Sequence, residues 1–150
     1  MKFVKLITIL IMSIFYIGVG IAHFVNPQKF LDIIPPFFPA PLFLVYVSGL
    51  FEVLLGSLLI IKRFRFYAGI GLILLLIAVF PANIYLYGDD DVRQLYGSVS
   101  KQDALIRMFF QMPLIILAYW HSQEKSKKYF SYICCVLSVP TVLYFISILF

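Results

Sequence analysis

The residue with the highest free-energy cost in this sequence is a carboxylic acid ten residues into an apolar run. Glu52 follows Leu50 and Phe51 and precedes Val53 and Leu54. On a helix it would stand on the order of 15 Å from that run's start. Ionisable groups in such surroundings are costly, and they mark where chemistry should be sought. Gly49 and Gly56 flank Glu52 at helical spacing. Small residues on that face let a second helix come close and hold Glu52 in the interior. Ser13, Tyr16, Gly20 and His23 form another single helix face. Asn83 and Tyr87 stand one turn apart just after Pro81, and Arg107 and Gln111 are also one turn apart. Four apolar segments thus carry Glu52, His23, Asn83, Gln111, Arg107 and Tyr16, which are the candidate residues of one polar, ligand-binding cavity.

Each residue has a structural reading beside the chemical one. A protonated Glu52 would hydrogen-bond Asn83 or Gln111 and act as packing glue. Arg107 either snorkels to the headgroups or reaches inward to pair with Glu52. His23 stands at an interface, and Asn83 is placed to satisfy a carbonyl that Pro81 frees. Tyr119, Trp120 and His121 read as an interfacial belt. Asp89, Asp90 and Asp91 read as a solvated loop, with cation binding as the alternative. Cys134 and Cys135 are adjacent, which fits neither a CxxC redox pair nor a metal-ligand spacing, so they read as small buried hydrophobes. No haem, flavin or metal motif is present, and neither is a phosphate loop or nucleophile elbow.

The elements that must position these groups are apolar and long. The 150 residues are 63% hydrophobic and 13% charged, with a mean hydropathy of +1.00. This excludes an ordinary soluble domain and a disordered chain. Five runs approach the ~20 residues that span hydrocarbon: Phe3 to Phe24, Leu42 to Ile61, Phe66 to Tyr87, Ala104 to Trp120 and Tyr129 to Phe150. The first is longer than a signal-peptide core and is expected to remain as a helix. Residues 26–41 hold five prolines among apolar side chains, which predicts a short interfacial helix from about Pro27 to Ile34 and then an extended segment. The fold class expected is all-α integral membrane: an antiparallel four-helix transmembrane bundle over residues 1–122, with a fifth transmembrane helix over 123–150.

Charge gives the orientation. With the N-terminus inside, eight of the twelve basic residues fall on the inner side, while Asp32, Asp89, Asp90, Asp91 and Asp103 fall outside. The positive-inside rule therefore selects a cytoplasmic N-terminus. The same distribution assigns the net charge of +5 to topology and excludes a nucleic-acid partner.

Three stretches carry a family resemblance. GVGIAHFVNP at Gly18 to Pro27, PPFFPAPL followed by Val47-Ser48-Gly49 to Glu52 and Gly56, and AVFPANIY at Ala78 to Tyr85 resemble the DoxX family of small membrane proteins, over roughly Ile17 to Trp120. The resemblance implies a four-helix bundle in the bacterial inner membrane, associated with quinol or thiosulfate–quinone oxidation complexes. The reading that follows is a redox-associated, quinone-linked membrane subunit rather than a self-sufficient enzyme. Its partners would be the lipid bilayer and a redox enzyme subunit or a second copy of the chain. Glu52 would handle a proton, His23 or Asn83 would bond a ring oxygen, and aromatic residues of the proline loop would cover the ring. A non-catalytic assembly protein is the alternative. A proton-coupled transporter is disfavoured because the inner halves of the spans look almost wholly apolar and no repeat is visible. With five spans and the N-terminus inside, a topology reporter fused after Phe150 is expected to read the outer side, and a cytoplasmic signal would remove either the fifth span or the orientation.

Overall fold

The computed structural model describes residues 2–149, and every described element is helical. The helices are α1 (Lys2–Val25), α2 (Pro27–Leu31), α3 (Pro41–Ile60), α4 (Arg65–Gly88), α5 (Asp90–Leu95), α6 (Lys101–Ser122) and α7 (Lys128–Leu149). Five of them, α1, α3, α4, α6 and α7, are long and apolar enough to cross a membrane. Proline at the first turn opens both α2 and α3, where its missing N–H would have had no helical partner. The short helix expected to reach Ile34 stops at Leu31, because Pro35 disfavours helical backbone in the residue before it. The run expected from Ala104 instead begins at Lys101. There the Ser100 hydroxyl caps the helix, accepting from the Asp103 amide at 3.1 Å and donating to its carboxylate at 2.6 Å.

The helices pair antiparallel, α1 with α3 and α4 with α6. Along the first seam Gly20 lies against Gly49 and Gly56 against Tyr16; along the second Gly69 lies against Ser122. A Cβ on Gly49 would come within 2.5 Å of the His23 Cβ and 2.9 Å of the Gly20 carbonyl oxygen, so only glycine permits this crossing. Ile9, Met12, Leu59, Leu72, Leu76 and Leu114 fill the space between the two pairs. Helix α7 lies on α6 and α1. Phe110 stacks on Tyr144 with ring centroids 4.1 Å apart, and the Trp120 indole N–H points to the Ser126 and Ser131 hydroxyls at 3.3 Å. Cys134 is buried against Leu117 and Trp120, which is the packing role read for it.

The residues read as an interfacial belt divide. Tyr119 is exposed, but Trp120 and His121 are buried. Side chains of α1 reach both residues, and α7 packs on Trp120. Thr8 Oγ1 donates to the Lys5 carbonyl at 2.9 Å, which leaves it to accept from His121 Nε2 at 3.1 Å. Lys5 Nζ donates to the Gln123 carbonyl at 2.6 Å and lies over the Trp120 ring. The half of the bundle expected to be almost wholly apolar therefore holds a polar clasp. Beside it, Lys62 bonds Glu124 at 2.9 Å, and this bond holds the Glu124 carboxyl below the usual range. Both groups are solvent-exposed, so the pair contributes little.

Replacing Gly49 by Ala is expected to destabilise the protein by about 1–3 kcal/mol through overpacking against α1. Gly18→Ala, whose Cβ meets nothing within 4 Å, is the matched control and should keep stability or raise it slightly, since alanine is the better helix former. Thermal unfolding of both variants in detergent micelles measures the difference.

Candidate functional site

At the end of the bundle opposite that clasp, α3 and α4 separate and leave a cavity of about 650 Å³. Leu55 and Gly71 bring the two helices together at its floor, where a Cβ on Gly71 would lie 2.6 Å from Leu55 Cδ2. The proline segment crosses the top with Ile33, Pro35 and Phe38, and α1 closes the back with Val19 and His23. The walls are otherwise apolar. Polar side chains enter from two directions.

The first polar pole joins α1 and α3. The crossing at Gly20 and Gly49 carries His23 to Glu52, with Nδ1 3.3 Å from Oε2. The hydrogen on Nδ1 is already committed, because that atom lies 2.9 Å from the Val19 carbonyl one turn back. Glu52 Oε2 therefore sits within ion-pair distance of the imidazole without a hydrogen bond. Phe30 of α2 stacks on the imidazole, with centroids 3.6 Å apart and planes 20° apart, so the short helix holds the ring in place. Ser48 also lines the cavity, but its hydroxyl bonds back to the Val45 carbonyl at 3.0 Å. Glu52 is left as the group whose bonding capacity is open to an occupant.

The second pole joins α4, α5 and α6. Arg107 Nε donates to Asn83 Oδ1 at 3.0 Å, and Asn83 Nδ2 donates to Gln111 Oε1 at 2.6 Å. Gln111 in turn donates to the Leu76 carbonyl, and Arg107 also donates to the Tyr96 hydroxyl and lies over its ring. The Leu76 carbonyl is the neighbour of the Ile77 carbonyl, which Pro81 deprives of its amide partner. Asn83 therefore bonds Gln111 and Arg107 rather than the α4 backbone, and the side chain that does reach that backbone, Gln111, takes the carbonyl next to the freed one. Neither Asn83 nor Gln111 bonds Glu52, and Arg107 reaches inward to Asn83 rather than to the carboxyl.

Of the six residues read from sequence, His23, Glu52, Asn83 and Arg107 line the cavity. Gln111 stands behind the wall and orders Asn83. Tyr16 lies one level below, with its ring in the core and its hydroxyl without a partner. Sequence reading missed Phe30 and Tyr96, which position His23 and Arg107 by stacking across loops. It also missed Arg93, buried at 7% exposure, which donates to the Tyr87 carbonyl at 2.5 Å and pairs with Asp90. Asp89 of the acidic run caps α5, accepting from the Asp91 and Val92 amides at 3.0 and 3.1 Å.

Fold and site together define a helical protein with five candidate membrane spans and a largely apolar cavity ringed by two polar poles. The chain belongs to the family described as Domain of unknown function (DUF8561), which matches residues 12–122. That span takes in both poles, the proline segment and all of α3, α4 and α6. No curated protein and no solved structure matches the chain.

Gln111→Leu removes a donor and an acceptor and leaves the Asn83 amide N–H without its acceptor. It is expected to lower stability by about 1–3 kcal/mol, the cost of an unsatisfied buried partner. Titration of the folded protein with SDS in mixed micelles reads this loss, and an unchanged midpoint would dismiss the network as a stabilising element.

Proposed function

We propose that this is a multi-pass membrane protein of the bacterial inner membrane, N-terminus cytoplasmic, that holds a lipid-soluble, flat-headed ligand between α3 and α4. The ligand class that fits best is a quinone, and the role is that of a redox-associated membrane subunit. The observation that carries this reading is the Glu52 carboxyl oxygen, buried beside His23 at the cavity wall with no hydrogen-bond partner of its own. Small-molecule sites are mostly apolar, with a few convergent polar groups. A quinone presents oxygens on two opposite edges of an apolar ring, and two polar poles flank this cavity.

In this arrangement Glu52 exchanges a proton with one ring oxygen, and His23, locked by Phe30 and the Val19 carbonyl, orients that carboxyl. Arg107 and Asn83 offer donors to the other edge. Phe38 and the proline segment keep water from above. The DoxX-like stretches supply the redox association, since they coincide with the α1 turn, the Glu52 helix and the Pro81 helix that build the site. The mutual bonding of Asn83, Gln111 and Arg107 favours a second reading, in which the polar groups fix helix packing and the outer loops dock a partner in a membrane assembly.

Mass spectrometry of lipids and quinones retained in nanodiscs separates the two. Wild type is expected to enrich a quinone, and Glu52→Gln or His23→Ala to lose it. Bulk-like lipid content in all three proteins would overturn the ligand reading in favour of the assembly role.

A further inference from the structure

The cavity has a floor, a back and a roof, but it lacks an outer wall. Its roof is closed: Ile33 and Pro35 are buried beneath the proline segment. Its side is open. Phe51 and Leu74 line the cavity and are nevertheless 48% and 63% exposed, and Ala78 beside them is exposed too. These three residues face each other across the gap between α3 and α4, in the middle of two helices long and apolar enough to span a membrane. Residues 71 to 83 of α4 flank the gap, about 18 Å at the helical rise. The opening thus lies along the hydrocarbon depth of a ~30 Å core and not at an aqueous end.

The distribution of chemistry matches the shape. The polar groups, His23, Glu52, Asn83 and Arg107, sit at the back and the top. The side opening and the floor are apolar, formed by Phe51, Leu55, Leu74 and Leu75. A wholly water-soluble ligand would have to displace the buried roof to enter. A molecule dissolved in the bilayer meets the opening directly, and a hydrocarbon chain left in the opening stays in apolar surroundings throughout.

We infer that the cavity is loaded sideways from the bilayer, between Phe51 and Leu74, and that its occupant is a tailed amphiphile whose headgroup meets the two polar poles while its hydrocarbon chain leaves through the gap. This rests on the ligand reading above and adds the route and the tail to it.

The test uses the full-length protein in nanodiscs and two decyl-quinones, identical except for bromine at the tail end of one. Bromine quenches nearby tryptophan, so the extra quenching by the brominated compound locates the tail. Leu74→Trp places a reporter at the side opening. Phe37→Trp places one on the exposed proline segment above the roof, where Phe37 is 75% exposed. Extra quenching at Leu74→Trp and none at Phe37→Trp is expected. The reverse pattern, or quinone binding with no extra quenching at Leu74→Trp, overturns lateral loading and leaves the ligand reading intact. If neither quinone binds the wild-type protein by retention in washed nanodiscs, the ligand reading falls, and lateral loading of a quinone falls with it.

Discussion

The site depends on how closely α1 can lie on α3. Two glycines, Gly20 and Gly49, let the backbones touch, with each glycine's missing Cβ occupied by the other helix. Apolar burial gives little drive between helices once both are in an apolar phase, so close van der Waals packing of small residues must supply it. That contact also has a chemical outcome. It delivers His23 to the carboxyl of Glu52, one turn further along the same seam. A larger residue at either glycine would separate the helices and the two titratable groups together.

The opposite wall is organised by a different constraint. Pro81 interrupts the hydrogen-bond ladder of α4, and just below it Gln111 of α6 bonds both the Leu76 carbonyl and Asn83. Arg107 then completes a chain that runs from Tyr96 near the loops to the Leu76 carbonyl inside. These groups bond one another and keep the Arg107 Nη2 and second Asn83 amide hydrogens over, whereas Glu52 Oε2 has no partner. The cavity therefore has one pole tied into the architecture with donors to spare and one that holds an unpaired acceptor. Phe30 shows how the proline segment joins in, since it holds the imidazole flat from outside the bundle.

Much of this was legible in the residues. The five long helices follow from apolar runs of spanning length, and the faces Gly49–Glu52–Gly56 and Ser13–Tyr16–Gly20–His23 follow from helical spacing. What periodicity does not encode is which partner a polar group takes across helices. Arg107 could equally have been assigned to Glu52, and only the offset between α3 and α6 decides for Asn83. Trp120 and His121 show the same gap. Aromatic residues near the end of an apolar run resemble a belt, and nothing local reveals that α7 and side chains of α1 close over them. Arg93 was hidden because a charged residue in a hydrophilic loop reads as solvated until its carbonyl partners at the end of α4 are seen. Side-chain stacking between loop and helix, as in Phe30 on His23, leaves no spacing signal at all.

The clasp between Thr8 and His121 joins positions 113 residues apart, and this has a consequence for the order of assembly. Synthesis delivers α1 first and the end of α6 nearly last among the four bundle helices. The buried imidazole of His121 finds its acceptor on α1, made well before it, and Lys5 of that same helix holds the Gln123 carbonyl where α6 ends. The first helix thus serves as a template that sets the depth of the fourth. Helix α7 docks on Trp120, the neighbour of His121, so its berth is complete only once that register is set. The place where α7 docks is thus fixed by the same contact that sets α6 against α1.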